Sequence, residues 1–155
     1  MKVLSDHGSI KKFRRVPWKF QATFRTPLKA ITEFSSDIVK ALSPTLESSV
    51  IIDGYVFEPK NLHTLLSRHG LQSDFRHDQT LVAENDAELI ELLSATFNDW
   101  IDFAFVPDPK PFVLYTDHDE YTTILAMRKG NLNRVTRVLD ERGFERVPNW
   151  VLKFD

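Results

Sequence analysis

The chain has 155 residues, 42 % of them hydrophobic, with 20 Lys and Arg against 22 Asp and Glu. That length suits one domain burying about two-thirds of its unfolded-chain surface and is short for two, and a formal net charge of −2 excludes a uniformly basic nucleic-acid binder and an acidic disordered tail. The absence of Cys excludes a disulfide framework, thiolate chemistry and Cys-type zinc sites, which fits a reducing compartment.

Near-neutrality conceals a strong sorting of charge along the chain. Residues 1–40 sum to +6, 41–80 to −2, 81–120 to −9 and 121–155 to +3. No apolar run reaches the length of a signal peptide or a membrane span, so a cytoplasmic location is expected.

Residues 1–15, with Lys11, Lys12, Arg14 and Arg15, read as the start of the domain or as a flexible basic arm. From Trp18 the pattern has period two. Trp18, Phe20, Ala22 and Phe24 alternate with Lys19, Gln21, Thr23 and Arg25, as a strand with one buried face requires. Thr26-Pro27 reads as an N-cap followed by proline at the first helical position, and Leu28, Ile31, Ile38, Val39 and Leu42 line one face of the helix that follows, which Ser43-Pro44 ends. Asp53-Gly54 between Val50-Ile51-Ile52 and Tyr55-Val56-Phe57 signals a tight hairpin. A short helix through Leu62, Leu65 and Leu66 stops at Gly70. Residues 71–79 form a polar loop and Thr80 to Ala83 a short strand. Asn85 and Glu88 make a capping box for a helix carrying Leu89, Ile90, Leu92, Leu93 and Phe97.

Three strand-like runs follow, Trp100 to Val106, Pro111 to Thr116 and Tyr121 to Met127, joined by connections too short for parallel crossovers. Asn131 caps a last helix with Leu132, Val135, Val138 and Leu139. Gly143 closes it before a strand-like Trp150 to Phe154. The expected fold is a single α+β domain over 1–155, with a largely antiparallel sheet, a C-terminal three-stranded meander and about four helices.

Chemistry-bearing patterns are few. There is no Gly-x-Ser-x-Gly elbow, Ser-x-x-Lys pattern, dinucleotide fingerprint or phosphate-binding loop, so neither a catalytic residue nor a cofactor is expected. His63, His69, His77, Asp74 and Asp78 lack the i, i+4 spacing of helix-borne zinc ligands. The basic residues near Phe13, Trp18 and Phe20 suit contact with nucleic acid, but the alternation places those aromatics in a core. The densest polar cluster is Asp117-His118-Asp119-Glu120. It suits a solvated turn, a protein-interaction surface, or the beginning of a hard-cation site of a metal-dependent hydrolase. In the acidic block, Glu84, Asp86, Glu88 and Glu91 complement a helix dipole, whereas Asp99, Asp102, Asp108, Asp117, Asp119 and Glu120 have no such structural reason. These carboxylates either steer a basic partner or are cancelled internally by the basic N-terminus and the Arg-rich last helix. Burial of Asp102 against an arginine would make it a structural ion.

The run Trp100 to Pro107, then Phe112 to Thr123, Asn131 to Val135 and Gly143-Phe144-Glu145 resembles small bacterial proteins of immunity or uncharacterised type, among them cognate inhibitors in polymorphic and contact-dependent toxin systems. The resemblance covers the C-terminal third. It implies a small cytoplasmic α+β inhibitor that covers a toxin's active site, often the basic cleft of a nuclease, and it carries over no catalytic residue. The leading expectation is therefore a non-enzymatic binding protein with no cofactor. Its basic protein partner would meet Asp99, Asp102, Asp117, His118, Asp119 and Glu120. A small metal-dependent hydrolase using Asp117 and Asp119, and nucleic-acid contact through the N-terminus, are the alternatives.

Overall fold

A computed structural model describes residues 1–5, 9–42, 44–74 and 78–154. The alternating run after Trp18 becomes strand β2, Phe20–Arg25, with Phe20, Ala22 and Phe24 facing the main core. It lies at one edge of a seven-stranded antiparallel sheet. In chain order the others are β1, Lys2–Ser5; β3, Ser48–Gly54; β4, Gln79–Ala83; β5, Asp102–Val106; β6, Val113–Thr116; and β7, Tyr121–Ala126. Their order across the sheet is β1-β4-β3-β5-β6-β7-β2. The α+β class and the three-stranded meander are thus as expected, β5, β6 and β7 being consecutive neighbours.

Period-two alternation gives the central strands two buried faces. Phe103, Phe105, Leu114 and Ile124 enter the main core, while Ala104, Val113, Tyr115 and Leu125 enter a second, smaller one. Helices α2, Ile31–Leu42; α3, Lys60–Arg68; α4, Asp86–Asn98; and α5, Lys129–Glu141 contribute the other side of the main core. Phe34 of α2 meets Phe97 of α4 edge-on at 5.5 Å and Phe144, beyond α5, at 5.0 Å. The fifth helix, α1, Ser9–Arg15, covers the second face with Ile10 and Phe13.

Several local expectations hold in atomic detail. Asn85 Oδ1 accepts the Glu88 N–H at 2.9 Å, and the Glu88 carboxylate reaches back to the Glu84 N–H at 2.9 Å. Gly70 and Gly143 follow α3 and α5 with φ of +67° and +83°, and the next residue donates to a carbonyl five positions back, Leu71 to Leu66 and Phe144 to Leu139.

Five expectations are corrected. Asn131 does not cap the last helix: α5 begins at Lys129 after Arg128, so Asn131 lies inside its first turn. Residues 1–5 and 9–15 are not a free arm: β1 pairs with β4 and α1 packs on the sheet, because Val3, Ile10 and Phe13 give this basic stretch an apolar side. Asp53-Gly54 is not a hairpin turn. β3 already has β4 and β5 on its two sides, so Asp53 and Gly54 remain in the strand at a register irregularity, and Val56 and Phe57 lie exposed beyond it. Thr26 does not cap a helix; α2 begins at Ile31, and the buried Thr26 hydroxyl bonds Thr122 at 2.7 Å. Trp150 to Phe154 is no strand. That segment crosses the second face, where Leu152 and Phe154 pack, and Gln21 brackets the Leu152 backbone, accepting its N–H at 2.8 Å and donating to its carbonyl at 3.3 Å. Just before it, the Arg25 and Thr23 backbones pair with Glu145 and Val147 along the outer side of β2.

Candidate functional site

The β6–β7 turn is built by its own side chains. Asp117 Oδ1 accepts the Asp119 N–H at 2.9 Å, which folds the chain back, and Glu120 completes the reversal with φ +70°, a left-handed conformation in a non-glycine residue. The turn forms one wall of an open cleft of about 470 Å³, opposite Trp150 to Phe154, with Arg14 and Tyr115 between them.

Two polar groups organise this cleft. Asp53 has its side chain 8 % exposed and receives the Arg14 guanidinium at 2.5 Å and the Tyr115 hydroxyl at 2.5 Å. Arg14 also lies over the Phe154 ring, 5.7 Å from its centroid. Burial, reinforced by donation to Asp53, pushes the Tyr115 phenol above its ordinary range, so it is a neutral donor at physiological pH. Beside this group stands His118. Its backbone N–H donates to Asp102 Oδ1 at 2.7 Å, its Nδ1 lies 2.9 Å from the same oxygen, and its Nε2 lies 3.7 Å from Asp119 Oδ1. The hydrogen bond to Asp102 holds the His118 pKa above its ordinary value, with the carboxylates of Asp119 and Asp117 acting in the same direction.

Asp117 is in a different position. It is partly buried, which raises its pKa, and the nearby carboxylates of Asp119 and Asp102 raise it further. Among the described residues no Lys or Arg lies within 4 Å of Asp117 or Asp119. The turn thus presents two carboxylates, of which Asp119 meets His118, in a cleft that Arg14 and Lys153 also line, next to an exposed tryptophan that stacks on Tyr121 at 4.5 Å.

No family model, curated protein or solved structure matches this chain.

Of the six residues expected to meet a partner, the fold brings Asp102, Asp117, His118 and Asp119 together. Asp102 is partly exposed and paired with His118, not with an arginine, so it positions the histidine. Glu120 turns away to Arg25, 3.4 Å distant. Asp99 leaves the group altogether. It is 6 % exposed, and its carboxylate accepts the Asn61 and Leu62 backbone N–H groups at 3.0 and 2.7 Å and the Asn61 side-chain amide at 2.8 Å. It therefore caps the start of α3, where no local side chain does so. Arg14, Asp53, Tyr115, Trp150 and Phe154 join the site without having been expected there. The strand alternation of β6 carries a signal for Tyr115; the others depend on long-range packing.

Part of the charge sorting is resolved inside the fold, Glu84, Glu88, Glu91 and Glu120 of the acidic block each meeting a cationic group. The Met1 ammonium meets Glu84 at 2.8 Å and Glu88 at 3.0 Å, Lys2 meets Glu47 and Glu84 at 3.2 Å, and Arg142 meets Asp37 at 3.0 Å. Asp86 bonds the Thr45 hydroxyl. His63 is exposed and His69 lies 3.9 Å from Glu91; His77 falls outside the described residues. Among the described residues no three His, Asp or Glu side chains converge as metal ligands, and no helix is long and apolar enough to cross a membrane.

Proposed function

We propose that the protein is a non-enzymatic binding module of the immunity type, which neutralises a basic toxin by seating Asp117 and Asp119 against cationic side chains of the toxin's active-site cleft. The observation that carries this reading is the residue of the charge arithmetic: Glu84, Glu88, Glu91 and Glu120 of the acidic block each meet a cationic group within the fold, while Asp117 and Asp119, side by side at the cleft, keep no Lys or Arg partner among the described residues. Rim carboxylates of this kind raise association rate and select for a basic surface. Trp150 and Val151, both exposed beside them, supply the apolar contact that a charged pair alone lacks. The resemblance of the C-terminal third to toxin-neutralising proteins points to the same class of partner.

The test is calorimetric titration against a basic toxin domain, sought among the products of the neighbouring genes. The expected outcome is tight binding that Asp117→Lys with Asp119→Lys weakens at least about 100-fold, like charges then facing the cleft. Equal affinity of the double variant removes the turn from the interface, and absence of binding by the parent protein removes the immunity reading.

A further inference from the structure

The face covered by α1 holds a second cavity, at the end of β6 opposite the acidic turn. Its volume is about 230 Å³. Ile51, Val106 and Val113 form its floor on the sheet; Phe13 and, just beyond α1, Val16 and Trp18 form its walls. The Trp18 indole N–H is buried with no acceptor among the described residues, although a buried indole nitrogen ordinarily has one. Lys12 and Lys110 stand at the lining's edge, both exposed, and no described carboxylate lies within 4 Å of either ammonium group.

Apolar walls and two cations with no carboxylate partner among the described residues define a ligand by complement. The walls require an apolar body, and the lysines require an anionic end. A free phosphate leaves the walls unfilled, and a neutral hydrocarbon leaves both ammonium groups without a role. The volume lies below the roughly 300–1,000 Å³ of sites for drug-sized molecules, which limits the ligand to a short chain. We propose that this cavity binds a small amphipathic monocarboxylate, its alkyl chain lying between Phe13 and Val113 and its carboxylate held by Lys12 and Lys110. The site is separate from the acidic cleft and does not depend on a toxin partner.

The experiment titrates the full chain with octanoate, following the Trp18 indole N–H signal by NMR and tryptophan fluorescence. Saturable binding is expected. Hexanoate, two methylenes shorter, binds about 15-fold more weakly, and octanol, which lacks the charge, binds about tenfold more weakly. Lys12→Gln with Lys110→Gln abolishes the preference for octanoate over octanol while leaving the fold intact, both side chains being exposed. Val16→Phe, which fills the cavity from its solvent side, abolishes binding of both. Failure of octanoate to saturate, equal binding of octanol by the parent protein, or an unchanged preference in the double lysine variant each overturns the proposal.

Discussion

His118 and Asp117 show how one turn holds two titrating groups with opposite effects on stability. The His118 pKa is raised by its bond to Asp102, so the pair's stabilisation is complete below the ordinary value of 6.5 and disappears as pH rises through the folded value. NMR titration of the His118 ring is expected to give a midpoint above 6.5, and Asp102→Asn to move it back toward that value. The Asp117 pKa is raised by burial, so the folded state disfavours its ionised form: the penalty is absent below the ordinary value of 3.8 and grows as pH rises through the folded one. Asn at this position keeps an oxygen for the Asp119 N–H but carries no charge. Asp117→Asn is therefore expected to raise the melting temperature at pH 7 by about 2 °C and to leave it unchanged at pH 3, as thermal melts at the two values will show. The same change is expected to weaken binding of a basic partner, the usual relation when a group is kept for contact at the expense of the free protein.

Among the elements, α3 depends on a residue far from it in sequence. Its first turn receives its acceptor from Asp99, at the end of α4, rather than from Pro59 before it. Asp99→Ala leaves two backbone N–H groups and the Asn61 amide without that partner. It is expected to cost about 2–3 kcal/mol in urea unfolding, with partner affinity unchanged; Asp99→Asn, which keeps an acceptor, costs less. The case also shows where sequence reading stops. Patterns satisfied within a few residues were legible: the Asn85–Glu88 box, the glycines after α3 and α5, and the meander, whose short connections admit one kind of pairing. Patterns that depend on what arrives from elsewhere were not. Asp53-Gly54 has the local chemistry of a turn, but two flanking strands hold it extended, and Arg14 and Tyr115 claim its carboxylate. The same limit applied to the site. Asp117, His118, Asp119 and Asp102 were legible because three are contiguous and the fourth lies on the neighbouring strand, whereas Arg14 and Phe154 reach the cleft through tertiary packing alone.

For the whole molecule, two cores on opposite faces of one sheet divide the stabilising contacts unequally. Phe34 joins α2 to Phe97 and Phe144 in the larger core and is fully buried. Phe34→Ala is expected to cost about 3–5 kcal/mol, measured by chemical denaturation. The smaller core is closed by α1 and the C-terminal segment, with Phe154 edge-on to Tyr115 at 5.1 Å and to Phe13 at 5.9 Å. The segment running from Glu145 to Phe154 has a further consequence, which follows from the hydrogen bonds it makes to β2. A strand at the margin of a sheet offers its free N–H and C=O groups to any other extended chain, including another copy of itself. Glu145 and Val147 occupy two of those groups, on Arg25 and Thr23, and at the opposite margin β1 is only four residues long and carries Lys2. The stretch leading into the cleft wall thus acts as a guard against strand-to-strand polymerisation, and a chain cut after Gly143 is expected to self-associate through β2.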